Sequence, residues 1–443
     1  MYTNIMIIDF TVSNFRSIRD EQTLSLHVEN PGKHFPEHVA YPAGDRIGVL
    51  KSWGIYGANA SGKTNLLIAL DVLQNVIDGS GDLKDGDPIP WYQPFRLSEA
   101  TKNTPTHFEI EFITPKQDRF SYYISFDGNR VWEEQLIGYV TSKPSVLFKR
   151  EPTDTWDTVK FGVNLKGGKR KFPFFANNAY LSKAGNSADA PDMIRDAYNY
   201  LRHNILLTIA PRRGLGFVRI GWASDENFLK QISALLALAD TGIASVSTQE
   251  RKFDEESLQM PTSMPDEVRK AILNDFKMQP VFLHNTESGT AEAFKFEAES
   301  EGTKQLFSLA PMLISALKEQ RVWIVDELES SMHPFMAELI VKLFNDPEVN
   351  PKGAQLLFTT HNVEIMSPDK LRRDQIWFAE KSNGESRYFS LQDFDKNIVK
   401  PQSPYSRWYL EGRFDAIPKI NYRKIAEMLK TARETENDAE AES

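Results

Sequence analysis

The sequence predicts an α/β fold: a phosphate-loop nucleotide-binding domain with a mixed sheet, an antiparallel β subdomain and an inserted helical lobe. Three observations predict it. Gly57 to Thr64, within Gly-Ile-Tyr-Gly-Ala-Asn-Ala-Ser-Gly-Lys-Thr-Asn at 54–65, fits G-x-x-x-x-G-K-[ST]. An apolar run at 322–325 ends in two adjacent carboxylates, Asp326 and Glu327. Between them, alternating runs at 108–112 and 120–126 give way to helical spacing from about Asp189.

The loop stands in the setting its chemistry needs. Upstream, 47–53 reads as a short buried strand; downstream, Leu66, Leu67, Leu70, Leu73 and Val76 recur at helical spacing over 64–76. A strand, a glycine loop and a helix N-terminus bring backbone N–H groups and the helix dipole together on an anion. Gly57 and Gly62 let the backbone close round a phosphate that a Cβ would obstruct. Gly57, Ala58, Asn59, Ala60, Ser61, Gly62, Lys63, Thr64 and Asn65 are therefore the candidate ATP-binding loop. Lys63 would reach the β- and γ-phosphates, and Thr64 would present its hydroxyl to Mg²⁺.

At 443 residues the chain has room for two or three domains with real cores. It has no cysteine, which excludes disulfides, Cys-ligated zinc, iron–sulfur clusters and thiol nucleophiles. No apolar run approaches the roughly 20 residues of a membrane span, and no charged-then-apolar leader opens the chain. A cytoplasmic protein without membrane contact is expected. The net charge of −9 would not draw the protein as a whole to nucleic acid, so any such contact needs a local basic surface or a partner.

Taken in order, 5–15 and 22–28 read as strands and 29–45 as a Pro-, Gly- and His-containing loop. The alternating runs at 108–112 and 120–126 suggest an antiparallel hairpin that 131–140 and 145–149 continue. Phe228, Ile232, Leu235, Leu236 and Ala239 form a helical stripe, with Asp240-Thr241-Gly242 as its stop. Strands return at 281–283 and 294–297, a helix at 303–317, and strands at 322–325, 355–359, 375–379 and 387–390. The expected organisation is residues 1–185 for the first half of the nucleotide-binding domain with its β subdomain and 186–278 for an inserted helical lobe. Residues 279–425 would supply the second half, and 426–443 an acidic flexible tail.

Asp326, at the mouth of the nucleotide crevice, would hold the Mg²⁺-bound water, and Glu327 would orient or deprotonate the attacking water. Three further blocks bear on the subclass: Glu299-Ser300-Glu301-Gly302-Thr303, Glu329-Ser330-Ser331-Met332-His333-Pro334, and Thr359-Thr360-His361-Asn362. Alone, the first reads as an ordinary helix N-cap and the last as a strand-end histidine.

In this order the motifs resemble ABC-type ATPases of the RecF, SMC and OLD branch, closest to stand-alone bacterial AAA family ATPases typified by RloA and the abortive-infection protein AbiLi. Asn14-Phe15-Arg16-Ser17-Ile18, Asp326-Glu327-Leu328-Glu329, Arg373-Asp374-Gln375-Ile376-Trp377-Phe378 and Tyr409-Leu410-Glu411-Gly412-Arg413-Phe414 carry the resemblance with the blocks above, over about 5–418. It implies a head-to-tail dimer, or a higher homo-oligomer, with ATP between subunits. Ser300, Gly302 and Thr303 of one copy would then meet the γ-phosphate held by Lys63 of the other, and His361 would be the switch histidine that senses it. By the same analogy Gln93 would be a metal-contacting glutamine and Arg16 would border the adenine; a loop glutamine and a solvated arginine are the plain alternatives.

The chain departs from its relatives in places. It has no sustained heptads, and Asp393-Phe394-Asp395 sits in a short polar turn rather than a nuclease domain. Lys166 to Lys171 reads as a basic hairpin tip, and Arg212, Arg213 and Arg219 sit in the insert. A folded dimer would be able to align them as a groove for nucleic acid. The resemblance implies an ATP-driven sensor or switch of anti-phage defence controlling a separately encoded effector, a nuclease. A RecF-like repair ATPase that clamps DNA and a self-contained metal-dependent nuclease are the alternatives.

Overall fold

The structure, a computed structural model, describes residues 6–28, 32–42, 47–139, 143–209, 225–239, 241–250, 273, 277–418 and 420–441. Its centre is a six-stranded sheet in the order Ile205–Thr208, Val322–Val325, Gln355–Thr359, Ser52–Tyr56, Ile376–Ser382, Glu385–Ser390. All neighbours run parallel except the last pair. A parallel sheet is covered on both faces, so its strands read as short continuous apolar runs. Val322 and Ile324 belong to one core, while Trp323 and Val325 belong to the other. Leu357 and Leu356 divide in the same way.

One core is closed by the helices Lys63–Gly79 and Asp192–His203 and by a seven-stranded antiparallel sheet. That sheet runs Lys160–Phe161, Ser145–Arg150, Val131–Gly138, Arg119–Phe126, Thr106–Ile113, Met6–Ser13, Gln22–Ser25. Its inner face is aromatic, with Phe112 stacked on Tyr200 of the Asp192–His203 helix at a centroid distance of 4.5 Å. The other core takes the helices Glu226–Leu238, Glu301–Glu319 and Pro334–Asn345. Buried Gln355 ties the two sheets together: its Oε1 accepts from Ile7 N at 2.6 Å, and its Nε2 donates to the carbonyls of Ile7 and Leu50 at 2.9 and 3.0 Å. Among the described residues no helix is long and apolar enough to cross a membrane.

The α/β class, the mixed sheet and the antiparallel subdomain are as expected; three details differ. The run at 47–53 is two strands, Gly48–Leu50 in a small separate sheet and Ser52–Tyr56 in the central one. They part at Lys51, whose buried ammonium donates to the Asn350 carbonyl at 3.1 Å.

The block 186–278, expected to be a helical lobe, carries strands in its described part. Ile205–Thr208 is an edge of the central sheet, and Ile243–Glu250 pairs with Met278–Asn285. Three apolar residues and Thr208, one position past a helix, continue its pattern on paper; parallel pairing to Val322–Val325 is what makes them a strand. Arg212, Arg213, Arg219 and Asp240 lie outside the described residues.

The tail expected to be flexible from 426 is instead a helix, Tyr422–Ala441. Its Ala, Glu, Lys, Met and Leu content favours helix, and neither Gly nor Pro interrupts it.

Candidate functional site

The loop leaves the Ser52–Tyr56 strand at Gly57 and enters the Lys63–Gly79 helix through Gly62, whose φ of +104° is a glycine conformation. A Cβ on Gly57 would collide with the Ala379 carbonyl of the neighbouring strand, and one on Gly62 with the Ser386 hydroxyl. The amides of Asn59, Ala60, Gly62, Lys63 and Thr64 find no acceptor among the described residues, and the Ser61 hydroxyl is buried without a partner there. Lys63, 6% exposed, folds back so that Nζ donates to the Gly57 and Ala58 carbonyls at 2.8 and 3.1 Å. Burial lowers its pKa, against the pull of Asp326, Glu327 and Glu329.

The carboxylate strand brings its end to the same place. Thr64 Oγ1 lies 3.0 and 3.2 Å from the two oxygens of buried Asp326. Thr359, which ends the strand between the loop's strand and the carboxylate strand, binds the pair from behind. Its hydroxyl donates to Asp326 Oδ1 at 2.6 Å and accepts from Glu327 N at 2.7 Å. Glu327 has a φ of +47°, a left-handed conformation that costs a non-glycine residue on the order of 1–3 kcal/mol. Local strain of this kind persists where the surroundings over-determine it, and it clusters at functional sites.

His361 follows Thr359 and Thr360 in a turn held by Glu329, and with Gly57–Ser61 it lines a cavity of about 700 Å³. Burial, and next the Lys63 charge, lower the His361 pKa from the ordinary imidazole value. The far wall of the cavity is a C-terminal segment including Tyr409, Ala416 and Ile420, and the Ala416 carbonyl accepts from Ala58 N at 2.9 Å.

Ser300, Gly302 and Thr303 are not part of this cluster. Ser300 caps the Glu301–Glu319 helix, its Oγ accepting from Thr303 N at 3.1 Å, and no hydrogen bond links these three residues to the 57–65 loop among the described residues. The capped helix start lies instead against the turn after the carboxylate pair, where a Cβ on Gly302 would come 3.0 Å from the Ser331 carbonyl. Arg16 donates to Gln93 Oε1 at 2.6 Å and to Asn65 Oδ1 at 3.3 Å, so both residues border the helix start. Asp393 and Asp395 accept from the amides of Ser390 and Asn397, which makes them turn caps. Among the described residues no three His, Cys, Asp or Glu side chains gather as a metal site.

The donor set fits a nucleoside triphosphate and a hard divalent cation. Free amides and a lysine suit phosphate oxygens, and a hydroxyl beside a carboxylate suits Mg²⁺, which takes few protein ligands. Sequence reasoning assigned no role to Thr359, Glu329, Ser17, Ser386, Tyr388 or Ala416. Ser386 Oγ donates to the Ser61 carbonyl and pairs with the Ser17 hydroxyl, both at 2.7 Å, and Tyr388 OH donates to the Gly62 carbonyl at 2.8 Å. Paired hydroxyls at a strand end were the one available signal, for Thr359; a hydroxyl on a late strand carries none.

A family model described as "AAA domain, putative AbiEii toxin, Type IV TA system" matches residues 53–367, well over half of the chain. No curated protein matches. Solved structures that resemble the chain include the SMC head domain from Thermotoga maritima, 12% identical over 87% of this chain and 98% of that one, TM-score 0.38. Another is an Smc head domain with a coiled coil and joint derived from Pyrococcus yayanosii, 11% identical over 93% and 100%, TM-score 0.42. The recombination mediator protein RecF with ATP is 11% identical over 88% and 99%, TM-score 0.37.

Proposed function

We propose, for a chain that belongs to the AAA-domain family described as putative AbiEii toxin of a type IV TA system, that it binds ATP with Mg²⁺ and hydrolyses it between two copies of itself. The observation that carries this reading is one convergence at the loop: Lys63 turned onto the Gly57 and Ala58 carbonyls, Asp326 beside Thr64, and the His361 turn lining a cavity with Gly57–Ser61. The free amides and Lys63 hold the phosphates, and Thr64 and Asp326 hold the cation. Bound there, Mg²⁺ would neutralise phosphate charge. Glu327 takes the proton of the attacking water, and His361 bonds the γ-phosphate.

No hydrogen bond joins Ser300–Thr303 to the loop of the same chain among the described residues, which leaves this helix N-terminus for the triphosphate of a second copy. ATP then joins two subunits and hydrolysis parts them, which makes the protein a switch. The family description supports placing that switch in abortive infection, where it would control a separately encoded effector with nuclease activity. The test is phosphate release by wild type and by Lys63→Ala, followed by a phage challenge of cells carrying the chain with its neighbouring genes. Hydrolysis that ignores Lys63 sinks the enzymatic reading. Protection that survives Lys63→Ala, or that needs no neighbouring gene, sinks the switch reading.

A further inference from the structure

The turn that carries His361 is held by a carboxylate to which the ATPase mechanism assigns no role. Glu329 Oε1 accepts from the His361 backbone N–H at 2.6 Å, and Glu329 Oε2 accepts from Thr360 Oγ1, also at 2.6 Å. Thr360 is fully buried, and its hydroxyl in turn accepts from Asn362 N at 2.9 Å. Its amide donates to the Ile55 carbonyl of the strand that feeds the phosphate loop, at 3.1 Å. Glu329 itself sits on a tight turn: Ser330 N donates to the Glu327 carbonyl and Met332 N to that of Glu329, each at 2.9 Å. Between the two glutamates, fully buried Leu328 donates its N–H to the Thr359 carbonyl at 3.0 Å. The turn after the carboxylate pair and the turn after Thr359 are therefore laced together at Thr359, Thr360 and His361.

We propose that Glu329 is a positioning residue for His361: by clamping the Thr360–His361 turn it sets the imidazole beside the phosphate loop and couples that turn to the carboxylate pair. The inference rests on the ATPase reading above. A charged acceptor makes short, strong hydrogen bonds to N–H and O–H donors, so the clamp fixes direction as well as distance. Without it the Thr360 hydroxyl loses its acceptor and the His361 amide faces solvent. His361 is then free to leave the cavity, while Lys63, Thr64 and Asp326 keep their contacts. Removal of Glu329 should thus lower turnover and weaken nucleotide binding no more than the loss of the His361 bond itself does.

The experiment compares Glu329→Ala, Glu329→Gln, His361→Ala and the double variant Glu329→Ala/His361→Ala in steady-state ATP hydrolysis and in ATP binding by calorimetry. Glu329→Ala should lower kcat by roughly 10- to 100-fold, the scale of losing a group that orients a ligating or catalytic side chain, with Kd for ATP raised no further than in His361→Ala. Glu329→Gln keeps the acceptor for one of the two bonds and should fall between wild type and Glu329→Ala. Because Glu329 acts through His361, the double variant should be no slower than His361→Ala alone; independent roles would multiply. Full activity in Glu329→Ala, multiplied losses in the double variant, or lost binding at unchanged kcat would each overturn the proposal. Should Glu329→Ala not fold, Thr360→Val and Thr360→Ser carry the same cycle with His361→Ala, the serine being expected to restore what the valine loses. Wild-type protein without Lys63-dependent hydrolysis would remove the ATPase reading. The clamp would still be judged by hydrogen exchange of the His361 amide, which Glu329→Ala must accelerate if the bond exists.

Discussion

Thr64 Oγ1 and the Asp326 carboxylate meet at 3.0 and 3.2 Å across 262 positions of sequence. The contact joins the start of one helix to the end of a strand two places away in the sheet, and Thr359 on the intervening strand locks it from behind. With Lys63 turned back onto the Gly57 and Ala58 carbonyls, the lysine, the Thr64 hydroxyl and the Asp326 carboxylate each have a partner within the chain. A triphosphate would have to draw Lys63 off these carbonyls, and a cation would come between the hydroxyl and the carboxylate.

Lys63→Ala should abolish ATP binding, because the free amides alone would face a polyanion without their fixed cation. The fold should persist, since Nζ bonds only to loop carbonyls. Calorimetry and a thermal melt check both halves. Undiminished binding would remove the loop assignment.

The same substitution has a readable effect on His361. Burial and the Lys63 charge hold the imidazole pKa below its ordinary value. Taking away a neighbouring positive charge makes protonation easier, so the Lys63→Ala variant should titrate His361 at a higher pH than wild type. Added ATP, which brings negative charge, should move the wild-type midpoint in the same direction. NMR titration of the imidazole protons measures both; a midpoint that is unmoved or lowered in Lys63→Ala would put the two groups out of electrostatic reach.

Gly57→Ala tests packing rather than charge. The new methyl would press on the Ala379 carbonyl, backbone that cannot swing away, so overpacking should cost about 1–3 kcal/mol. The loss should appear in denaturant unfolding as a lowered midpoint. An unchanged midpoint would mean that the loop and the Ile376–Ser382 strand are not packed as described.

Gln355→Leu tests the joint between the sheets. The variant leaves Ile7 N and two carbonyls without their partner in a buried setting, and a buried polar group left unpaired costs about 1–3 kcal/mol. A stability loss of that order or larger is expected, with ATP affinity unchanged in protein that remains folded.

Much of the site was legible because it is made of side chains at fixed spacing. The loop glycines, Lys63, Thr64 and the Asp326-Glu327 pair each answer to one chemical requirement, and the parallel strands beside them are short apolar runs bounded by these motifs. What escaped is supplied by long-range pairing or by the main chain. Ile205–Thr208 became a strand through its neighbour Val322–Val325, which no local period reveals. The Ala416 carbonyl at the loop could have belonged to any residue. The Tyr422–Ala441 helix was hidden by an acidic, small-residue composition that suits a solvated end as well as a helix.

Glu327→Gln tests mechanism and assembly together. The amide keeps the side chain's shape and removes its basicity, so turnover should fall by on the order of 10²-fold or more, the scale of losing a positioned general base. ATP should still bind, since Lys63, Thr64 and Asp326 are untouched; one negative charge fewer beside the triphosphate favours that binding. In the proposed switch closed sites would then accumulate, because the nucleotide that would join two subunits is no longer consumed. With ATP the variant should show more of the two-site assembly than wild type, by light scattering or native mass spectrometry. Ser300→Arg puts bulk and charge at the N-terminus of the Glu301–Glu319 helix, the end that would face the partner's γ-phosphate. Combined with Glu327→Gln it should undo the assembly while leaving ATP bound at Lys63. If the protein is a constitutive oligomer its mass would not change, and hydrogen exchange over residues 300–303 should report the closure as ATP-dependent protection. Unchanged hydrolysis in Glu327→Gln rejects its role as base. Lost hydrolysis with neither assembly nor protection responding to ATP rejects the shared site instead, and would leave Ser300 as the helix cap it is within a single chain.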